Sequence, residues 1–244
     1  MLPEYDNYVF DLYGTLIDIR TDESAPAFWR TLARCLNFRN VPCTAASLRA
    51  QYCALCAETE REAGAALAKK GLEGPAEMDI LTVWRKYLAQ QGKNWTEKEL
   101  WDWGGLFRAL SVKRLRLYPG ALPLLTALRG AKKKVCLLTN AQAAFTRPEL
   151  EYLGLSGCFD RIFISSEAGV RKPSPAFYAL LRREGLDFSR TLMIGNDDLC
   201  DCRAAARAGL DSLYIRTAQS PERSGPLPEN CREIAGLRQV FPLK

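Results

Sequence analysis

The chain has 244 residues, a formal net charge of +6 and 48% hydrophobic residues, so it is long and apolar enough to bury a large core. It contains no histidine, which excludes Ser-His-Asp and Cys-His catalysis and leaves carboxylates, lysine, tyrosine, thiols or an oxygen-bound metal for any chemistry. No apolar run has membrane-spanning length and the first residues lack the blocks of a signal peptide, so we expect a cytoplasmic protein without a membrane partner.

Neither the basic residues nor the cysteines form a convincing binding site. The run Lys132-Lys133-Lys134 precedes an apolar strand, where a solvated turn explains it, and we expect no nucleic-acid partner. The pair Cys53-x-x-Cys56 lies within a helical pattern, and the nine cysteines include no second pair at the spacing of a zinc site. We therefore expect reduced thiols that pack between helices.

The first candidate for chemistry lies in residues 7–19. An apolar and β-branched run ends in Asp11, which Gly14-Thr15 follows, and this pattern predicts a buried strand that enters a tight turn. In open α/β sheets ligands bind at the carboxyl ends of the strands. Asp11 is therefore a candidate nucleophile or metal ligand, although an ordinary turn-forming aspartate produces the same pattern.

The following hundred residues read as helical, with no convincing strand pattern. Four helices are predicted, with apolar residues at three- and four-residue spacings. They begin near Ser24-Pro26, at Thr44 or Ser47, near Glu77, and after the capping box Thr96-Glu-Lys-Glu99. One face of each helix is apolar, so we expect residues 19–115 to form a packed helical domain and not a linker.

Strands and helices alternate after the turn Tyr118-Pro119-Gly120. Strands are predicted at residues 135–139, 161–165, 191–195 and 212–215, and helices at 122–128, 141–152, 174–184 and 199–208. Residues 217–230 read as a loop and residues 232–240 as a short helix. The alternation predicts an α/β domain with a doubly wound parallel sheet, formed by residues 1–18 and 116–244.

Three polar stretches stand at the ends of predicted elements in this second part of the chain. Two follow a strand, and one precedes a helix. They are Thr139-Asn140, Lys172 ahead of Ser174-Pro175, and the acidic stretch Asn196-Asp197-Asp198 with Asp201. Turn and cap chemistry explains each of them singly. Together with Asp11 they supply what phosphoryl transfer needs, namely a carboxylate, a hydroxyl, a lysine and oxygen ligands for a divalent cation.

The order of these stretches resembles the four motifs of the haloacid dehalogenase-like superfamily. Asp11, Thr139, Lys172 and the Asn196-Asp197-x-x-x-Asp201 stretch match the first to fourth motifs, and the resemblance covers essentially the whole chain. It implies a Rossmann-like core and an inserted all-helical cap of the C1 type that closes over the site. The first aspartate of this superfamily becomes a covalent intermediate.

For a phosphatase of this superfamily, the resemblance implies a role for each matching residue. The catalytic residues are Asp11, Lys172 and Thr139, and the substrate-binding residues are Gly14, Thr15 and Asn140. Mg²⁺ is expected on Asp11, the backbone carbonyl of Tyr13, Asp197 and Asp201. The expected substrate is a small phosphorylated metabolite, and the protein is expected to be a monomer or a homodimer.

Two positions depart from the phosphatase pattern. Tyr13 occupies the position of the usual general acid, and a phenol with a pKa of about 10 is a poor acid for this task. Asn196 replaces an aspartate of the fourth motif. We therefore expect slow turnover of alkyl phosphates and faster turnover of acyl and aryl phosphates. The alternative is that Asp18, Asp22 or Glu23, on the segment that enters the cap, serves as a substitute acid.

The sequence also allows a metal-independent 2-haloacid dehalogenase, because those enzymes resemble this chain in reading D-x-Y-G-T. Their arginine and aromatic cap residues have candidate equivalents here in Arg30, Arg34, Arg39, Phe28, Trp29 and Phe38. The pair Asp197-Asp198 argues against this function, because an anionic substrate without a metal is repelled by extra carboxylates. A third alternative is a weakly active or non-catalytic ligand-binding protein with the same fold.

Overall fold

The computed structural model describes residues 5–241, and within them six strands form one parallel sheet in the order β5-β4-β1-β6-β7-β8. The strands of this sheet are β1 Asn7–Phe10, β4 Lys134–Thr139, β5 Arg161–Ile164, β6 Thr191–Gly195, β7 Asp211–Ile215 and β8 Cys231–Ile234. Two further strands, β2 Ile17–Thr21 and β3 Val112–Leu117, pair antiparallel as a separate ribbon. The predicted doubly wound α/β fold is confirmed.

The central position of β1 explains why the polar strand ends meet. Phe10 pairs with Leu137 of β4 on one side and with Ile194 of β6 on the other. The amide of Asp11 continues this ladder by donating to the Ile194 carbonyl at 2.9 Å. Because the three strands are parallel and in this register, their carboxyl ends lie at one edge of the sheet.

Successive residues of each central strand are buried on opposite faces of the sheet. Phe10, Leu137 and Ile194 belong to one apolar cluster, which helices α5 Ala121–Gly130 and α6 Ala143–Tyr152 cover. Val9 and Leu138 belong to a second cluster, covered by α8 Pro175–Arg183 and α9 Ala204–Ala208. The short helix α7 Ser165–Ala168 follows β5. The two covered faces account for the continuously apolar strand sequences.

Four helices form the inserted domain, as predicted: α1 Pro26–Phe38, α2 Ala45–Lys69, α3 Ile80–Gln90 and α4 Glu97–Ser111. Thr44 and Thr96 cap α2 and α4 through capping boxes with Ser47 and Glu99. Their core is aromatic and continuous with the sheet domain, because Phe107 of α4 stacks on Phe145 of α6 with ring centroids 5.9 Å apart. The helical domain is therefore packed against α6.

Three local predictions were wrong. Residues 17–21 and 112–117 form the β2-β3 ribbon, where no strand was expected. The apolar side chains of the ribbon pack on the sheet domain. Its two strands lie too far apart in the sequence for their pairing to be predicted from local patterns. Residues 231–234 form β8 and only 237–239 a 3₁₀ turn, because β8 completes the ladder beside β7. The helix predicted from residue 199 begins with a π-helical turn, Asp198–Arg203.

Two further observations concern the organisation of the chain. The proposed domain boundaries, after residues 18 and 115, fall inside β2 and β3, so the ribbon carries the chain between the two domains. Across residues 5–241, no helix is both long and apolar enough to span a membrane.

Candidate active site

A cavity of about 170 Å³ lies at the carboxyl ends of the central strands. The residues that line it are Asp11, Tyr13, Asn140, Lys172, Asn196, Asp197, Cys200, Asp201, Gln219 and Pro221. Most predicted site residues are therefore brought together. The cavity is smaller than the roughly 300 Å³ of an ordinary small-molecule pocket, so it fits the reacting group of a substrate and not a large metabolite.

Lys172 is the charge centre of this cavity. Its Nζ donates to Asp11 Oδ1 and to Asp201 Oδ1, both at 2.7 Å, and its side chain is 2% exposed. Burial opposes the ammonium charge, but Asp11 and Asp201 outweigh burial and raise the pKa of Lys172 above its usual range. Burial raises the pKa of Asp201 to about 7, against the opposing charge of Lys172. One cation thus balances two carboxylates.

Asn140 fixes the backbone from which Lys172 projects. Its Oδ1 accepts from the Lys172 amide at 2.8 Å and its Nδ2 donates to the Lys172 carbonyl at 3.0 Å. Ser174 then caps α8, which starts at Pro175 as predicted. Both polar atoms of the Asn140 side chain are engaged in this way, so its placement favours a positioning role over direct substrate binding.

The turn after Asp11 is packed against Asn196. Gly14 has φ of +84°, and a Cβ there would lie 2.4 Å from Asn196 Nδ2, so only glycine fits. Thr15 Oγ1 lies 3.1 Å from Asp11 Oδ2 and 3.1 Å from Asn196 Oδ1. Its single proton can be donated to one of these oxygens at a time. Thr15 is therefore a buried hydrogen-bond partner of the predicted nucleophile.

The acidic stretch is divided into different roles. Asp201 Oδ2 accepts from the Asp197 amide at 3.0 Å, and a Cβ on Gly195 would lie 2.2 Å from Asp201 Cγ, so the glycine makes room for this carboxylate. Asp197 Oδ1 caps the π-helical turn by accepting from the amides of residues 199 and 200 at 2.9 Å. Asp198 faces away, toward Arg203 and Ser224.

Tyr13 is held by a buried charge network between the two domains. Its hydroxyl donates to Glu149 Oε2 and lies 3.0 Å from Thr146 Oγ1. Glu149 Oε1 accepts from Arg108 Nε at 2.6 Å, and Arg108 also lies over the Tyr13 ring. Burial and the Glu149 charge raise the pKa of Tyr13 above its usual range. The phenol is therefore a fixed donor to a carboxylate and is unsuited to be a general acid.

None of the three proposed substitute acids lines the cavity. Asp18 is paired with Arg114 and Arg116, each at 2.9 Å. Asp22 accepts from the amide and hydroxyl of Ser24. Glu23 has no hydrogen bond to its carboxylate from any described residue, and burial raises its pKa. Of the three, Glu23 alone retains an uncommitted carboxyl.

The oxygen donors at this edge fit a magnesium ion only as a mixture of carboxylate, side-chain amide and backbone carbonyl oxygens. Across residues 5–241, no cluster of three or more carboxylate, thiol or imidazole ligands is present. Asp201 is engaged by Lys172 and the Asp197 amide, which leaves Asp11 Oδ2 and Asn196 Oδ1. The Tyr13 carbonyl accepts no hydrogen bond from a described residue. These hard oxygens, with Asp197 beside them, suit Mg²⁺, which keeps several waters of its own.

Thr139 ends β4 with a fully buried hydroxyl that has no hydrogen-bond partner within residues 5–241. An unsatisfied buried hydroxyl costs about 1 to 3 kcal/mol, so Thr139→Val should leave stability unchanged or raise it slightly. If the hydroxyl serves a phosphoryl oxygen, the same variant should lose activity about tenfold or more. Urea unfolding and steady-state kinetics measure the two effects.

Thr59→Val is the matched control for that variant, because Thr59 Oγ1 in α2 is also buried and unpartnered among the described residues. It should change stability in the same direction and leave turnover at the wild-type rate. Equal activities of the Thr139 variant and the wild type would remove Thr139 from the site.

The cap residues proposed for a dehalogenase lie elsewhere. Arg39 lies over the rings of Trp95 and Trp103, 5.0 and 5.8 Å from their centroids. Arg30, Arg34 and Phe38 line a separate surface cavity of about 410 Å³, whereas Phe28 and Trp29 are buried in the cap core. None of the described arginines lines the cavity that contains Asp11.

Sequence reasoning missed several residues that shape the site. Cys200, Gln219 and Pro221 line the cavity, and the last two lie in a loop for which no role was predicted. The Arg108–Glu149 pair that holds Tyr13 joins residues 41 positions apart. Neither spacing nor residue type marks these residues, because tertiary packing alone brings them together.

Comparisons with known proteins identify the family of the chain and similar folds. The family model of haloacid dehalogenase-like hydrolases matches residues 5–209. Pyrimidine 5'-nucleotidase YjjG from Escherichia coli is 36% identical over 112 residues, which are 45% of this chain and 49% of that protein. Phosphoserine phosphatase from Thermus thermophilus is 30% identical over 130 residues, which are 53% of this chain and 51% of that protein.

The chain thus spans about half the length of the curated relatives it matches. Among solved structures, the 2-haloacid dehalogenase from Pseudomonas syringae pv. Tomato DC3000 has a similar fold, with a TM-score of 0.63 and 20% identity. The match covers 97% of this chain and 96% of that one. At this identity the likeness describes the fold alone.

Proposed function

The chain belongs to the haloacid dehalogenase-like hydrolase family, and we propose that it is a Mg²⁺-dependent phosphatase of small phosphorylated metabolites that acts through an aspartyl-phosphate on Asp11. The charge balance of the cavity carries this proposal. Asp11, Asp197 and Asp201 line it, and Lys172 is the cationic side chain among the described lining residues. An anionic substrate needs a further positive charge there, and a divalent cation supplies it.

The residues of the chain divide the reaction between them. Lys172 holds Asp11 Oδ1 and so orients the carboxylate for attack on phosphorus. The bond from phosphorus to the leaving-group oxygen then breaks, and water later cleaves the aspartyl-phosphate to free phosphate. Asp201 keeps Lys172 charged and in place. Mg²⁺, when bound through Asp11, the Tyr13 carbonyl and Asn196 beside Asp197, would neutralise phosphoryl charge.

The fixed Tyr13 hydroxyl determines which leaving groups are expected to react. Because it donates to Glu149, it has no proton to give to an alkoxide. Acyl and aryl leaving groups depart as weak bases and need no proton. We therefore expect acetyl phosphate and 4-nitrophenyl phosphate to be hydrolysed faster than an alkyl phosphate.

Phosphate release from these three substrates, measured with Mg²⁺ and with excess chelator, tests the proposed function. The expected result is release that requires the metal and is faster for the acyl and aryl substrates, by about tenfold or more for the loss of one general acid. Equal rates on all three would show that another group supplies the proton, and Glu23→Gln would then test the one uncommitted candidate.

Two residues favour a 2-haloacid dehalogenase as the second candidate. Tyr13 occupies the position at which the resembling phosphatases carry their general acid. Asn196 is a neutral residue at a fourth-motif position that is an aspartate in those phosphatases. Against it, no arginine of the described chain reaches the cavity to bind a substrate carboxylate. Chloride release from 2-chloropropionate in excess chelator would establish this alternative. If the protein turns over neither substrate class, the alternative that remains is a ligand-binding protein.

A further inference from the structure

Gln219 lies on the cavity wall in the loop between β7 and β8, outside every motif that the sequence revealed. The loop backbone is anchored next to the nucleophile turn. Thr217 Oγ1 donates to the Gly14 carbonyl at 2.9 Å, and the Thr217 amide donates to Ser220 Oγ at 3.0 Å. Gln219 is therefore held at a defined place relative to Asp11.

The carboxamide of Gln219 has a fixed orientation. Its Nε2 donates to Asp18 Oδ1 at 2.9 Å and to the Ile19 carbonyl at 2.5 Å. Both partners can only accept, since Asp18 is ionised between Arg114 and Arg116. In a flipped carboxamide, Oε1 would lie against the two acceptors, Asp18 Oδ1 and the Ile19 carbonyl, and could not bond to either. The Nε2 atom therefore stays on the β2-β3 ribbon and Oε1 points away from it.

Gln219 Oε1 accepts no hydrogen bond from the described residues, which makes it an uncommitted acceptor. Two other side chains of the cavity wall are already engaged: Asn140 binds the Lys172 backbone, and Lys172 binds Asp11 and Asp201. Because Gln219 lines the cavity and its Nε2 is held by the ribbon, Oε1 is the atom of this carboxamide that can accept from a ligand without breaking an existing bond.

We propose that Gln219 determines substrate specificity by accepting a hydrogen bond at Oε1 from a hydroxyl or N–H group of the leaving group. The preferred substrates are then phosphate monoesters that carry such a donor a few bonds from the phosphoryl group. The inference rests on the proposed phosphatase function, with the phosphoryl end at Asp11. It assigns Gln219 to substrate selection and gives it no part in bond cleavage.

Binding of phosphonates tests the proposal without requiring turnover, because their carbon–phosphorus bond replaces the scissile ester. Dissociation constants for 2-hydroxyethylphosphonate and for its methyl isostere propylphosphonate are measured by calorimetry with Mg²⁺. The pair 3-hydroxypropylphosphonate and butylphosphonate extends the reach by one carbon. In the wild type, a hydroxylated ligand should bind about three- to tenfold more tightly than its isostere, the effect of one neutral hydrogen bond.

Gln219→Met keeps the length of the side chain and removes the acceptor, so the ratio of the two dissociation constants should fall to about one. Gln91→Met is the matched control, since Gln91 donates to Gln51 in the cap, away from the cavity. It should retain the wild-type ratio. A residue that merely walls the cavity would weaken both ligands equally and leave the ratio unchanged.

Four results overturn the proposal: a wild-type ratio within about twofold for both pairs, a ratio that survives Gln219→Met, loss of the ratio in the control variant, or no binding of either hydroxylated phosphonate. Acetyl phosphate hydrolysis by the same preparations reports on the proposed function separately. Failure of that hydrolysis with an intact binding ratio would refute the phosphatase and keep the recognition site.

Discussion

Asp11→Asn is expected to abolish phosphate release from acetyl phosphate, lowering kcat by at least about 10⁴-fold, as for other removed nucleophiles. The amide is nearly isosteric with the carboxylate but cannot form the acyl-phosphate bond. Lys172 keeps its pair with Asp201 in this variant, so the fold should survive. Release of inorganic phosphate under saturating substrate and Mg²⁺ measures the effect, and far-ultraviolet circular dichroism checks the fold.

Asp102→Asn is the matched control for this substitution, because Asp102 is an exposed aspartate of the cap that pairs with Lys98 one turn earlier in α4. Surface pairs of this kind contribute about 0 to 1 kcal/mol, and the control should turn over at the wild-type rate. Residual activity of the Asp11 variant above a few per cent of wild type would contradict a nucleophilic role for Asp11.

Lys172→Met should be the most destabilising substitution in the site. It leaves two buried carboxylates without their cation, and removal of one partner from a buried ion pair costs about 3 to 5 kcal/mol. Hydrolysis should fall as well, because Asp11 loses the group that orients it. Urea unfolding monitored by tryptophan fluorescence gives the free energy of unfolding.

The stability defect of Lys172→Met should depend on pH. Burial already raises the pKa of Asp201 to about 7, and without Lys172 it rises further. A carboxyl whose pKa is higher in the folded than in the unfolded state is stabilised by protonation, so the defect should shrink as the pH falls from about 8 to about 5. A defect of constant size across this range would mean that the carboxylates do not carry it.

Lys86→Met tests whether the stability defect of Lys172→Met arises from burial of the ion pairs or from the loss of ion pairs as such. Lys86 also contacts two carboxylates, Glu58 at 2.8 Å and Glu62 at 2.6 Å, but on the surface of the cap. Solvent screens this cluster, so its loss should lower the free energy of unfolding far less than the loss of Lys172 does. Equal defects in the two lysine variants would refute the assignment of Lys172 as a buried counter-ion.

The placement of most candidate site residues could be predicted from the sequence. The strand ending at Asp11, the lysine before the helix cap Ser174, and the acidic stretch after Gly195 could each be placed at strand or helix ends, because turns, caps and buried strands have local signatures. Parallel strands then bring their carboxyl ends to one edge. The fold class, the helical insert and most of the residues around the cavity follow from these local patterns.

Tertiary structure alone decided the rest. The β2-β3 ribbon and strand β8 exist because they complete ladders with partners that the sequence cannot identify. The same reason hides the fixation of Tyr13 by Glu149 and the placement of Gln219 by Asp18, since both depend on contacts between residues more than a hundred positions apart. Local sequence determines which chemical groups stand at the ends of elements, whereas packing determines which of their atoms remain free to act.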